Sequence, residues 1–221
     1  MIAYAASLGS ASLPEEYDGQ FAELISHVDA VSAREEKAAP YIQRFYQGTV
    51  TAVLDPVFLL EEEEWRRIEK ASGKKGYILV YSTEYSRELY DYAKQLSQEK
   101  ALQVIELKSK KGNSHSGWYT DYTAGPAEFL GYIHGADYVV TNSFHAVAFS
   151  IIYRKQFVAF IHSTLGARIE NIMDICGVKS RIYQPHRYMD IDSRIDWEEA
   201  GRRMSEKVKL SEDFLRKNLP V

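Results

Sequence analysis

The chain carries one cysteine, Cys176, in 221 residues. That excludes an intramolecular disulfide framework and a cysteine-built zinc cluster, and no oxidising compartment is called for. A cytoplasmic location is the expectation. An excess of basic charge is also lacking: 27 Lys and Arg against 31 Asp and Glu leave a formal charge of −4 and a pI near 5.9. Nucleic acid and anionic lipid, which usually need a basic stripe, are therefore not expected partners. The longest apolar stretch, Phe144 to Ile161, is interrupted by Arg154 and Lys155. It falls short of the about 20 uninterrupted residues that span a bilayer, so no transmembrane segment is expected. Met1 to Ser7 resembles a leader in its small apolar residues, but no Lys or Arg precedes Arg34, and the stretch reads as a strand. G-x-G-x-x-G, Walker A, H-E-x-x-H and G-x-S-x-G are all missing. His27, His134, His162 and His186 are scattered without metal-ligand spacing, and His115 lies in a polar stretch, so neither a metal nor a cofactor is expected.

With 45% hydrophobic, 26% charged and 13% aromatic residues, the composition is that of an ordinary globular protein. Short apolar runs alternate with segments of helical periodicity. Strands are expected at Ile2–Ala6, Asp29–Ser32, Thr49–Leu54, Tyr77–Tyr81, Leu102–Leu107, Asp137–Thr141 and Phe157–Ile161. Helices are expected at Pro14–Val28, Glu35–Tyr46, Glu61–Ala71, Glu84–Gln98, Pro126–Gly135, Phe144–Tyr153, Arg168–Cys176 and Trp197–Asn218. Lys108 to Thr123, with Gly112, Asn113, Ser114 and Gly117, reads as a long surface loop. Strand and helix alternating throughout imply βαβ units, a mostly parallel sheet and an α/β fold. A break near Leu60 to Gly76 divides an incomplete first α/β unit, residues 1–60, from a Rossmann-like domain, residues 61–221, that includes the closing helix. Cys176 reads as core, and the 16 tyrosines suit packing better than base stacking.

Chemistry concentrates where the strand ending at Thr141 runs into Asn142-Ser143-Phe144-His145 and an apolar helix. Ligands of open parallel sheets bind beyond the carboxyl ends of strands, and helix N-terminal amides attract phosphate and carboxylate. The same residues also suit a plainer role, with Asn142 a turn former, Ser143 a cap and His145 a surface residue. Arg34 ends a strand in the same way, its alternative being a local pair with Glu35 or Glu36. Arg168, opening another helix after Gly166, is equally open between the two.

The strings Asp29-Ala-Val-Ser-Ala-Arg34-Glu35, Val53-Leu-Asp-Pro56, Tyr77-Ile-Leu-Val-Tyr81, Gly125-Pro-Ala-Glu-Phe-Leu130 and Ala136-Asp-Tyr-Val-Val-Thr-Asn-Ser-Phe-His145 resemble the polysaccharide pyruvyl transferase family in order and spacing, from about Ile2 to about Arg181. The resemblance implies a GT-B-like architecture and transfer of the enolpyruvyl unit of phosphoenolpyruvate to a sugar, giving a pyruvate ketal and phosphate. It implies an acceptor that is a cell-surface glycan or its lipid-linked precursor, as in exopolysaccharide and cell wall glycan biosynthesis. It places Arg34, Asn142, Ser143 and Arg168 at the donor, with Arg34 and His145 taking part in catalysis and His145 as proton donor. Where the family has Gly-Thr after Phe-His, this chain has Ala146-Val147. The chain looks like a carboxyl-terminal half, residues 1–60 being a remnant of the amino-terminal lobe, and a second copy or a partner chain is expected to supply the missing lobe. Two other functions fit the same scaffold: a non-catalytic ligand- or partner-binding half, and a glycosyltransferase using a sugar nucleotide.

Overall fold

In the computed structural model, which describes residues 1–108 and 117–219, the apolar runs become parallel strands in two sheets. The strands are β1 (Ile2–Ala6), β2 (Ala30–Ala33), β3 (Thr51–Ala52), β4 (Tyr77–Tyr81), β5 (Gln103–Leu107), β6 (Tyr119–Asp121), β7 (Tyr138–Thr141) and β8 (Gln156–Ala159). The α-helices are α1 (Asp18–Ile25), α2 (Ala39–Gln43), α3 (Glu62–Ile68), α4 (Arg87–Lys100), α5 (Pro126–Gly135), α6 (Phe144–Ile152), α7 (Ala167–Ile175) and α8 (Trp197–Asn218). Much of the expected Lys108–Thr123 loop, including Gly112, Asn113, Ser114 and His115, lies outside the described residues. Among the described residues, no helix is long and apolar enough to cross a membrane.

Two compact units result, one of Met1–Leu59, Ser163–Val178 and Asp196–Val221, the other of Leu60–His162 and Lys179–Ile195. Along the chain the first unit gives way to the second between Leu59 and Leu60. The closing helix does not follow the linear partition, because its contacts are with the first strands. Phe214 packs on Tyr4 with ring centroids 6.1 Å apart, the Leu54 amide donates to Ser211 Oγ at 2.9 Å, and Lys207 pairs with Glu36 at 2.5 Å.

The first unit holds the sheet β1-β2-β3. All four residues of β2 are buried, as suits a parallel strand covered on both faces. The expected helix over 35–46 shortens to α2 because Pro40 sits in its first turn, where a missing N–H and a fixed φ set the start. β1 pairs Ala3 with Val31 and then Ala6 with Ala33, so it carries one residue more than its partner. This bulge holds Ala5 at φ +51°, the left-handed region, where a side chain is uncommon. The buried Ser32 hydroxyl accepts from the Ala5 amide at 2.9 Å and donates to Ala3 O at 3.1 Å, meeting the groups the bulge removes from the ladder.

The second unit holds the order β6-β5-β4-β7-β8. The chain starts at the centre, runs outward to β6, then returns to the other side of β4 for β7 and β8. This is the doubly wound order with a switch point between β4 and β7. Tyr81 is level with both Leu107 and Thr141, Leu107 with Asp121, and Thr141 with Ala159, so the strands' carboxyl ends form one flush edge. The core is apolar on both sheet faces: Ile78, Leu79, Val80, Val139, Val140, Phe157 and Val158 have no exposure. α5 lies so close to the preceding segment that a Cβ on Gly131 would sit 1.9 Å from Lys70 O.

Candidate active site

Neutral hydrogen bonds shape the switch point. The Thr141 hydroxyl donates to Tyr81 O at 2.5 Å and accepts from the Ser143 amide at 2.9 Å, joining the ends of β4 and β7. Asn142 is buried, and its side chain is engaged from both ends. Its Oδ1 accepts from the Thr83 amide at 2.8 Å and its Nδ2 donates to Glu84 O at 2.7 Å. Asn142 thereby fixes the loop after β4. The plainer turn-former reading does not describe these cross-strand bonds.

Ser143 stands at the N-cap of α6 in extended conformation, but its side chain makes no capping bond. A cleft of about 710 Å³ opens here, its lining including the polar Ser143, His145, Thr83 and Lys108 and the aromatic Tyr81, Phe129 and Phe149. His145 is solvent-exposed in the first turn of α6, its ring edge-on to Phe144 at 5.3 Å. Ala146 and Val147, the two departures from the family pattern, have no exposure and do not line the cleft. Their changed volume falls in the core.

Sequence reasoning passed over other residues at this edge. His162 Nδ1 lies 3.0 Å from Glu84 Oε2, joining the segment after β8 to the loop after β4. Lys108 extends β5 into the cleft wall. Neither has a motif around it; the weak signal for Lys108 is an acidic residue, Glu106, inside an apolar strand two positions before it.

Arg34 and Arg168 belong to the first unit, and Asn142, Ser143 and His145 to the second. Arg34 does not take either local partner. Its Nη1 pairs with Asp55 Oδ2 at 2.8 Å, with the two side chains 20% and 3% exposed. Glu35 turns to Ser7, whose hydroxyl donates to its Oε1 at 2.6 Å, and Glu36 to Lys207. Arg168 is half-buried in the first turn of α7. Asn171, one turn further along the same helix face, donates to Arg34 O at 3.4 Å and accepts from the Glu36 amide at 3.4 Å. The α7 face that carries Arg168 thus lies against the end of β2. Cys176 is buried, and burial pushes its thiol up to about 12, which removes it as a nucleophile. Among the described residues, no group of three or more metal-type side chains comes together.

The sheet is doubly wound, with an uncapped helix start beside its switch point, the place where open α/β sheets in general bind their ligands. The sequence model of the polysaccharide pyruvyl transferase family matches residues 1–164, and the chain belongs to that family. No curated protein matches it. A solved structure of the wall teichoic acid polymerase TagF aligns with 92% of this chain and 57% of its own, at 11% identity and a TM-score of 0.36. The chain therefore spans little more than half the length of that protein.

Proposed function

We propose that the chain serves transfer of the enolpyruvyl unit of phosphoenolpyruvate to two hydroxyls of a sugar. Proton delivery to the donor's methylene carbon makes its neighbour electrophilic. One sugar oxygen adds there, phosphate leaves with the bridging oxygen, and a second sugar oxygen closes the ketal. The two hydroxyl protons balance the methyl group formed and the phosphate released. His145 is the proton donor, since an imidazole titrates near neutrality and can give and regain a proton at working pH. The observation that supports this reading is the exposure of His145 on the cleft beside the α6 start, where Ser143 makes no capping bond of its own.

Asn142 acts by holding the Thr83–Glu84 loop, and Ser143 by lining the cleft. For Arg34 and Arg168 the proposal is anion binding, each to be tested by its own variant. Asp55 fixes the Arg34 guanidinium for that task.

The test measures phosphate release from phosphoenolpyruvate with mixed glycan acceptors, using the full chain alone and with any partner it requires. His145→Ala is expected to lower turnover about 10²–10⁴-fold while donor binding changes little. An unchanged rate would remove His145 from the reaction. Thermal shift decides the donor class: a ligand at 100 times its dissociation constant stabilises by about 2.7 kcal/mol. Stabilisation by sugar nucleotides with none by phosphoenolpyruvate would replace this reading by glycosyl transfer.

A further inference from the structure

Glu106 lies in β5 with no exposure, and a buried carboxylate is costly unless its oxygens are met. Three side chains meet it. The Tyr90 hydroxyl from α4 donates to Oε1 at 2.8 Å, the Thr120 hydroxyl from β6 donates to Oε2 at 3.3 Å, and Lys108 Nζ stands 3.0 Å from Oε1. Burial first, and Glu106 second, hold the Tyr90 phenol well above its ordinary value, so it remains a donor.

Lys108 and Glu106 are two residues apart on extended backbone and so share a face. The Lys108 amide donates to Asp121 O at 3.0 Å, carrying the ladder with β6 one residue beyond β5. The ammonium also sits 5.9 Å from the centroid of the Tyr90 ring. A lysine stem ordinarily loses much rotamer freedom when a ligand fixes it. Here much of the loss is taken on folding, and the Lys108 side chain, 20% exposed, lines the cleft together with Ser143 and His145.

Stability alone does not account for the pair, since apolar residues of similar volume often serve as well as a buried ion pair. Its place at the carboxyl edge of the sheet accounts for it better. We infer that Lys108 is the anchoring cation for the phosphate group of a ligand bound in this cleft, and that Glu106 is a positioning residue acting through Lys108. A compact ammonium suits a phosphate dianion as a point charge. That the phosphate belongs to phosphoenolpyruvate rests on the proposed function above; the anion site itself does not.

The experiment is calorimetric titration of the full chain with inorganic phosphate, phosphoenolpyruvate and pyruvate. Lys108→Ala alone would take the ammonium from a buried carboxylate, so the decisive variant is the double change Lys108→Met with Glu106→Gln, which removes both charges at similar volume. It is expected to keep the wild-type melting transition and to bind phosphate and phosphoenolpyruvate about 10–100-fold more weakly, with pyruvate unaffected. Lys108→Arg should recover part of the loss. Glu106→Gln alone should cost less than the double change. Undiminished phosphate and phosphoenolpyruvate binding in the double variant would overturn the role of Lys108 and leave the donor reading standing. Phosphate binding lost in the double variant, in a protein that never takes phosphoenolpyruvate, would keep Lys108 and sink the donor reading. A wild-type chain that binds neither phosphate nor phosphoenolpyruvate at millimolar concentration would overturn the inference.

Discussion

Both units end their parallel strands in polar residues, yet they hold those ends in different ways. In the first unit the end of β2 is joined to the segment after β3 by charge, Arg34 to Asp55, with Glu35 buried beside them on Ser7. In the second unit the corresponding joint, β4 to β7, is made by an amide and a hydroxyl, Asn142 and Thr141. A neutral joint leaves the local field to be set by what enters the crevice, whereas an ionic joint sets the field beforehand. In the second unit Lys108, in the cleft wall, is kept apart from the joint and balanced by Glu106 further down the strand.

The contrast can be broken most sharply at Asp55. Replacing it with Ala removes the carboxylate that faces a largely buried guanidinium, and losing one partner of such a pair costs about 3–5 kcal/mol. Chemical denaturation should register that loss, and amide exchange should quicken in β1–β3 before β4–β8. A loss no larger than that of the neutral joint would erase the distinction between the two units.

Next in size stand Asn142→Ala and Gly131→Ala in the second unit. Asn142→Ala leaves the Thr83 amide and the Glu84 carbonyl without their side-chain partner, at about 1–3 kcal/mol. Gly131→Ala drives a methyl group against the Lys70 carbonyl and should cost about 1–3 kcal/mol through displacement of α5. The two are separable by readout. Asn142→Ala should disturb ligand binding at the cleft as well as stability, whereas Gly131→Ala should act on stability with little change in affinity of the folded fraction.

The smallest effect belongs to Glu199 in α8. Bonds from Arg202 and Arg203 hold its carboxyl at about 2, below its ordinary 4.5. A depressed carboxylate contributes above its unfolded value and loses that contribution as pH falls through its folded one. The melting temperature should therefore drop slightly between about pH 4.5 and pH 2, and Glu199→Gln should flatten that part of the profile. An identical profile in the variant would show that the exposed cluster contributes nothing measurable.

The fold was legible where local signals agree. Ile2–Ala6, Tyr77–Tyr81, Pro126–Gly135 and Trp197–Asn218 are found at their expected bounds, each a clean apolar run or a capped amphipathic helix. β6 was not legible, because Tyr119-Thr-Asp121 has no apolar pattern and is a strand only through pairing with β5. In the site, the strand-to-helix turn at 141–145 could be read from periodicity, whereas residue roles enter only as what the resemblance implies. What escaped were partnerships set by distance along the chain: Arg34 with Asp55, His162 with Glu84, and Asn142 with the loop at Thr83. No local period encodes these, since each depends on which strands the sheet makes neighbours.

The return of α8 to the first strands bears on the order in which the protein is made. Met1–Leu59 leaves the ribosome before Leu60–His162, but its unit also draws on Ser163–Val178 and Asp196–Val221, which emerge later. Tyr4 and the Leu54 amide must wait for Phe214 and Ser211. The second unit can gather its sheet in an unbroken stretch, so it is the one expected to condense first, and β1–β3, synthesised before it, are secured after it.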